Sequence, residues 1–220
     1  MSAPFDAVLF DCDGVLVDSE PITNGVLRQM LGELGWELTQ AQCMQMFVGK
    51  ALKEETALIA KHTGKPVHAD WLTSFQLRRN AALTEGLVAI PQIHDAVHRI
   101  HSFYAGQIAC ASGADRFKVE MQLRKVELIN YFEGRIFSGY ETPRSKPFPD
   151  VYLAAAAALS TDPRRCAVIE DTVTGVTAGV AAGAVVFAYA PQGDGAALMS
   201  AGAVQVFTDM AQLPQLLMKE

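Results

Sequence analysis

The sequence has no cysteine pair at metal-ligand spacing, no surplus of basic residues and no apolar run long enough to cross a bilayer. Its four cysteines, at 12, 43, 110 and 166, stand far apart, each in or beside an apolar stretch. That placement fits buried thiols in a reducing compartment and speaks against a disulfide framework or a Cys-x-x-Cys zinc site. The 18 Lys and Arg are outnumbered by 24 Asp and Glu, for a net charge of −6. This balance argues against nucleic acid as the main partner, which favours a basic face. It leaves room for a local basic pocket that holds an anionic metabolite. The longest weakly polar stretch, "GVTAGVAAGAVVFAYA" over 175–190, is shorter than a bilayer span and rich in Gly and Thr. A helix running into a strand is expected there, and no membrane partner. Residues 1–10 carry no basic region, so no secretory signal is expected and a cytoplasmic location is.

What is present is a chain of 220 residues, half of them hydrophobic, enough for one sizeable core and a small appended domain. Four short apolar runs, 7–10, 107–111, 166–169 and 185–190, read as buried parallel strands. Helical patterns separate the last three. In "ADRFKVEMQLRKVEL" (114–128), Phe117, Met121, Leu123 and Leu128 fall roughly on one side. "DVYLAAAAAL" (150–159) is a strong helix former with Pro149 suited to its first turn, and "TGVTAGVAAGA" (174–184) is a small-residue helix. Strand and helix in alternation predict an α/β fold, a doubly wound parallel sheet. Residues 20–85 break the rhythm with helical segments at 22–34, 40–48, 52–62 and 70–83. An insert of about 65 residues is too large for a loop and predicts a second, helical domain. The expected division is 1–18 with 86–220 for the α/β core and 19–85 for the insert.

The first strand runs straight into "DCDG". In an extended chain residues i and i+2 project to the same side, so Asp11 and Asp13 leave the strand together, and Gly14 allows a turn beneath them. Ligands of open α/β sheets sit beyond the carboxyl ends of the strands. The other strands end in polar residues too: Ser112-Gly113 after "IACA", and Glu170-Asp171 after "AVI", with Lys146 in "SKPFPD" between them. Singly, each reads more readily as a turn former, a helix cap or a solvated lysine than as part of a site. Together they put four acids, a hydroxyl and one lysine on a single rim. Four carboxylates so close repel one another unless a cation joins them, and all-oxygen ligation suits Mg²⁺.

These motifs resemble the haloacid dehalogenase superfamily, in particular its branch of β-phosphoglucomutase-like phosphatases. "DCDGVLVDSE" (11–20), Ser112 after "ACA", Lys146 in "SKPFPD" and Glu170-Asp171 in "EDTVTG" match the four motifs in order. The stretch "FSGYETPRSKPFPD" is also similar to bacterial phosphatases acting on 6-phosphogluconate and related sugar phosphates. The resemblance implies a Rossmann-like core with an inserted helical cap, and a phosphatase acting on a small phosphorylated metabolite. It implies Asp11 as nucleophile, Asp13 as the acid and base, and Ser112, Gly113 and Lys146 around the phosphoryl group. Mg²⁺ would lie on the Asp11 side chain, the Asp13 carbonyl and Asp171, with Glu170 contributing directly or through its neighbours. Neighbouring negative charge is expected to keep a proton on Asp13.

In the cap, "FVGKALKE" (47–54) matches the substrate-facing loop, with Gly49 turning the chain; Lys50 fits an anionic substrate as well as it fits solvent, and Lys53 fits solvent better. Two positions depart from the sugar-phosphate mutases of the branch, which carry a histidine where this chain has Thr23 and an arginine where it has Leu52. Hydrolysis is therefore the expected reaction, with a β-phosphoglucomutase-type mutase as the alternative.

Overall fold

The structure is a computed structural model that describes residues 3–50, 52–193 and 195–218. Six parallel strands form one sheet: β1 (Ala7–Phe10), β2 (Ile108–Ser112), β3 (Ile136–Ser138), β4 (Cys166–Glu170), β5 (Val185–Tyr189) and β6 (Gln205–Phe207). Their order across the sheet is β3-β2-β1-β4-β5-β6, so β1 sits between β2 and β4. The register pairs Phe10 with Cys110 on one side and with Ile169 on the other. That central position explains why β1 and the first four residues of β4 are apolar and buried on both faces.

Helices α1 (Glu20–Glu33), α2 (Gln40–Phe47), α3 (Thr56–Thr63) and α4 (Ala69–Gly86) follow β1 without an intervening strand. The rest come between and after the other strands: α5 (Ile93–Phe103), α6 (Arg116–Lys125), α7 (Ile129–Phe132), α8 (Asp150–Ala158), α9 (Val173–Ala181), α10 (Ala196–Ser200) and α11 (Leu213–Leu217). The chain divides into two compact units, 1–18 with 88–220, and 19–87. Among the described residues no helix is long and apolar enough to cross a membrane.

In the sheet unit the alternation of β1 serves two cores. Ala7 and Leu9 join Val151, Tyr152, Ala155 and Val176 of α8 and α9 on one face. Phe10 points to the other, where its ring meets Phe132 of α7 edge-on at 5.9 Å. The helical unit has its own core of Leu27, Met30, Leu31, Cys43, Phe47, Ile59 and Phe75, with Trp36 and Trp71 packed against it. Thr39 and Gln42 close a capping box that starts α2.

Three features depart from the sequence reading. Strands β3 and β6 have only three residues each at the sheet's edges, too few for a periodic signal. Helix α5 was not anticipated, although Ile93, Ala96, Val97 and Ile100 are buried at helical spacing. Helix α6 keeps only part of the expected face, with Leu123 and Leu128 buried. Phe117 is 67% exposed, the helix ends before Leu128, and the buried residues are Lys118, Val119, Gln122 and Leu123.

Candidate active site

Asp11 follows β1, and its N–H still donates to the Ile169 carbonyl at 3.0 Å, which holds it beside the end of β4. Its carboxylate is buried and meets the Lys146 ammonium at 2.6 Å. The same ammonium lies 2.6 Å from Glu170 Oε1 and 4.7 Å from the centre of the Tyr152 ring. The Tyr152 hydroxyl donates to Glu170 Oε1 at 2.7 Å, while Glu170 Oε2 accepts from the N–H of Asp171, the N–H of Thr172 and the Thr172 hydroxyl. Glu170 thus faces five protein donors, against about four lone-pair directions on a carboxylate.

Two glycines make room for these acids. A Cβ on Gly14, whose φ is +78°, would lie 1.9 Å from Asp171 Oδ2. One on Gly175, in the first turn of α9, would lie 1.8 Å from Glu170 Oε1. Side chains at either position would expel a carboxylate from the rim. Asp11, Glu170 and Asp171 each present an oxygen within 4.8 Å of the others.

Asp11 is raised to about 7, mostly by burial, with Lys146 pulling it down and Glu170 and Asp13 adding to the rise. Burial also works against the Lys146 charge, but Asp11 and Glu170 outweigh it and hold the ammonium well above the usual lysine range. For Glu170 burial raises, yet Lys146, the Tyr152 hydroxyl and the Thr172 N–H bring the carboxyl below its ordinary value. One ammonium therefore serves two buried carboxylates and leaves Asp11 short of full ionisation at neutral pH.

Asp13 lies two residues on, in a different setting. Lys118 Nζ reaches both of its oxygens, at 2.7 and 2.9 Å, and Gln122 Nε2 donates to Oδ1 at 2.8 Å. Besides the neighbouring Asp11 carboxylate, a cation from α6, which the sequence reading did not include, sits on this carboxylate. Ser112, 1% exposed at the end of β2, accepts from the Ala114 N–H at 3.1 Å, which leaves its hydroxyl hydrogen to donate elsewhere. Its carbonyl accepts from Gly139 N–H, and a Cβ on Gly139 would meet Ser145 Oγ at 2.7 Å. This close approach sets the loop carrying Lys146 against the Ser112-Gly113 turn. The Lys146–Pro147 peptide is cis.

Asp11, Ser112, Gly113, Lys146, Glu170 and Asp171 thus stand together on the carboxyl edge of the sheet, with Asp13 beside them. In the helical unit, Gly49 has a φ of +73°, the left-handed turn expected of it. Lys50 pairs with Glu55 at 3.6 Å and is half-exposed, and Leu52 packs against the unit's apolar core. In the sheet unit, Arg144 pairs with Asp150 at 3.0 Å and lies over the Phe148 ring. Sequence reasoning missed Lys118, Gln122 and Tyr152. The spacing of Lys118 and Gln122, four apart and beside Val119 and Leu123, was the available signal: a polar pair on a buried helix face.

The sequence profile of the haloacid dehalogenase-like hydrolases matches residues 5–183. A 6-phosphogluconate phosphatase of Escherichia coli is 28% identical over 211 residues, which cover 96% of this chain and 94% of that one. Among solved structures, a haloacid dehalogenase-family hydrolase from Deinococcus radiodurans, with bound phosphate and sodium, is 35% identical with a TM-score of 0.78. The match covers 98% of this chain and 99% of that one. A haloacid dehalogenase-like protein of unknown function from Agrobacterium tumefaciens is 30% identical with a TM-score of 0.83, covering 96% and 97%.

Proposed function

This chain belongs to the haloacid dehalogenase-like hydrolases, and on that premise we propose that it removes phosphate from a sugar or sugar-acid phosphate through an aspartyl-phosphate on Asp11. The observation that carries the reading is the buried Asp11 carboxylate, held at 2.6 Å by Lys146 and clustered with Asp171 and Glu170 at the end of the sheet. The likeness to a 6-phosphogluconate phosphatase supports a sugar-acid phosphate such as 6-phosphogluconate as substrate.

The donor set fits Mg²⁺. Hard carboxylate oxygens converge within 4.8 Å, and Asp11, raised to about 7, calls for a second positive charge beside Lys146. The side chains of Asp11 and Asp171 and the Asp13 carbonyl are the proposed holders. Glu170, whose oxygens face five protein donors, takes part by holding Lys146. Bound there, the ion would supply positive charge to the phosphoryl oxygens.

The remaining work falls to the chain. Asp11 attacks phosphorus in line, and the bond to the sugar oxygen breaks as the aspartyl-phosphate forms. Asp13 gives that oxygen its proton and takes one from the water that later attacks the aspartyl-phosphate. The Ser112 hydroxyl and the Gly113 N–H hold phosphoryl oxygens, and Lys146 balances charge between phosphate and nucleophile. The helical unit supplies specificity as a cap in this reading, with Gly49 and Lys50 in the substrate-recognising loop. A cytoplasmic location, where free thiols such as the four buried cysteines persist, is part of the same proposal.

The test is orthophosphate release from a panel of phosphorylated metabolites with Mg²⁺ present, with Asp11→Asn as control. Release that stops in the control supports the reading. Isomerised sugar phosphate without orthophosphate would replace it with the mutase, and no product of either kind would reject both.

A further inference from the structure

Helix α6 turns a polar edge into the protein. Lys118 is 6% exposed and Gln122 is fully buried, although each is one residue from a Val or Leu that fills the core. Burying an ammonium and a primary amide costs several kcal/mol unless both are well paired. Here both are paired with one group. The two side chains, one helical turn apart, close on the Asp13 carboxylate with three hydrogen bonds of 2.7–2.9 Å. Gln122 is itself oriented, because its Oε1 faces the Cys12 thiol at 3.8 Å. The start of α6 is fixed as well: the Asp115 side chain caps it by accepting from the Lys118 N–H at 2.9 Å. A helix pinned at its first turn thereby presents two rigid donors to one carboxylate on a neighbouring loop.

Resting on the phosphatase reading, we propose that Lys118, aided by Gln122, is the positioning residue for Asp13, holding its carboxylate in the orientation from which it exchanges a proton with the oxygen of the leaving alcohol. The rim then has a division of labour between two lysines. Lys146 balances the charge of Asp11, and Lys118 aims Asp13.

A positioning role has a signature that a structural role lacks. A sugar alkoxide leaves poorly without a proton, whereas p-nitrophenolate is a stable anion that departs unaided. The quantity to read is kcat/KM, which reports the first transfer and not the later attack of water. Lys118→Met, which keeps the buried stem, should lower kcat/KM for a sugar phosphate by roughly 100-fold, the low end of general acid catalysis. For p-nitrophenyl phosphate the loss should be at most a few-fold. Lys118→Arg should restore part of the selective loss, and Gln122→Leu should show the same pattern more weakly. Equal losses on both substrates, or none on either, in the folded variants would overturn the proposal. Should Lys118→Met fail to fold, Gln122→Leu decides by the same criterion. Asp11→Asn run alongside separates the two levels. Phosphate release that survives in that variant sinks the aspartyl-phosphate reading itself. A silent Asp11→Asn with no leaving-group selectivity at position 118 sinks only the role of Lys118.

Discussion

The sheet unit and the helical unit bury different things. At the carboxyl edge of the sheet, Asp11, Ser112, Lys118, Gln122 and Glu170 are all buried, and each meets at least one partner from a distant part of the chain or from its own turn. The helical unit buries mainly carbon: Leu27, Met30, Leu31, Phe47, Ile59 and Phe75, with Trp36 stacked on His62 at 4.2 Å. Buried polar networks are costly unless complete, so a chain that keeps one at a strand end keeps it for chemistry. An apolar core answers chiefly to stability. The same size of change should therefore be read out as rate in one unit and as melting in the other.

The largest effect expected is on rate. Asp11→Asn should lower turnover on the order of 10⁴-fold or more, measured by phosphate release, while the protein stays folded. Next comes the helical unit. Phe47→Ala removes a ring that packs edge-on against Trp36 at 6.0 Å, and should cost about 3–5 kcal/mol in urea unfolding of that unit. A loss below about 1 kcal/mol there would break the contrast between the two units. Tyr152→Phe sharpens it from the other side. The ring still fills the core and still lies by Lys146, so stability should fall by about 1 kcal/mol, yet Glu170 loses the hydroxyl donor that helps fix it against Lys146. A drop in kcat of roughly 10-fold is expected with KM nearly unchanged.

A fourth prediction concerns pH and metal. Asp11 is raised from an ordinary value of 3.8 to about 7 in the folded chain. Between those values the native state holds a proton that the unfolded state has released. In the absence of metal, Asp11 therefore takes stability away as pH rises from about 4 to about 7. Metal binding needs the ionised form, so the rise in Tm produced by Mg²⁺ should be larger at pH 8 than at pH 5. An equal rise at both would remove Asp11 from the ligand set. The smallest effect is at the helical unit's surface. Lys50→Ala should leave stability within about 0.5 kcal/mol, since its pair with Glu55 is half-exposed at 3.6 Å. If Lys50 recognises substrate, KM should rise several-fold with kcat kept, and unchanged kinetics across the panel would exclude it from recognition.

Much of the sheet was legible because buried parallel strands write themselves as apolar runs: Ala7–Phe10 and Val185–Tyr189 stand out without any partner being known. The three-residue edge strands carry no such run, since their backbone is ordered by the neighbour they pair with. In the helix at 116–125, Leu123 is buried as its hydrophobicity predicts, but Phe117 is exposed while Lys118 and Gln122 are buried. Asp13 offers the lysine a buried partner that local pattern does not reveal.

The sequence alone settled which chemical groups end three of the strands and in what order, paired aspartates, a serine with glycine and a glutamate with aspartate, with a lysine in the stretch between the last two. Strand ends are local features, legible from runs and turns. Tertiary structure alone decided which donor meets which acid. Lys146 comes to Asp11 across 135 residues, and Lys118 to Asp13 across 105. Those meetings depend on strand order and on how each crossover helix is rotated about its axis, which only the packed sheet determines.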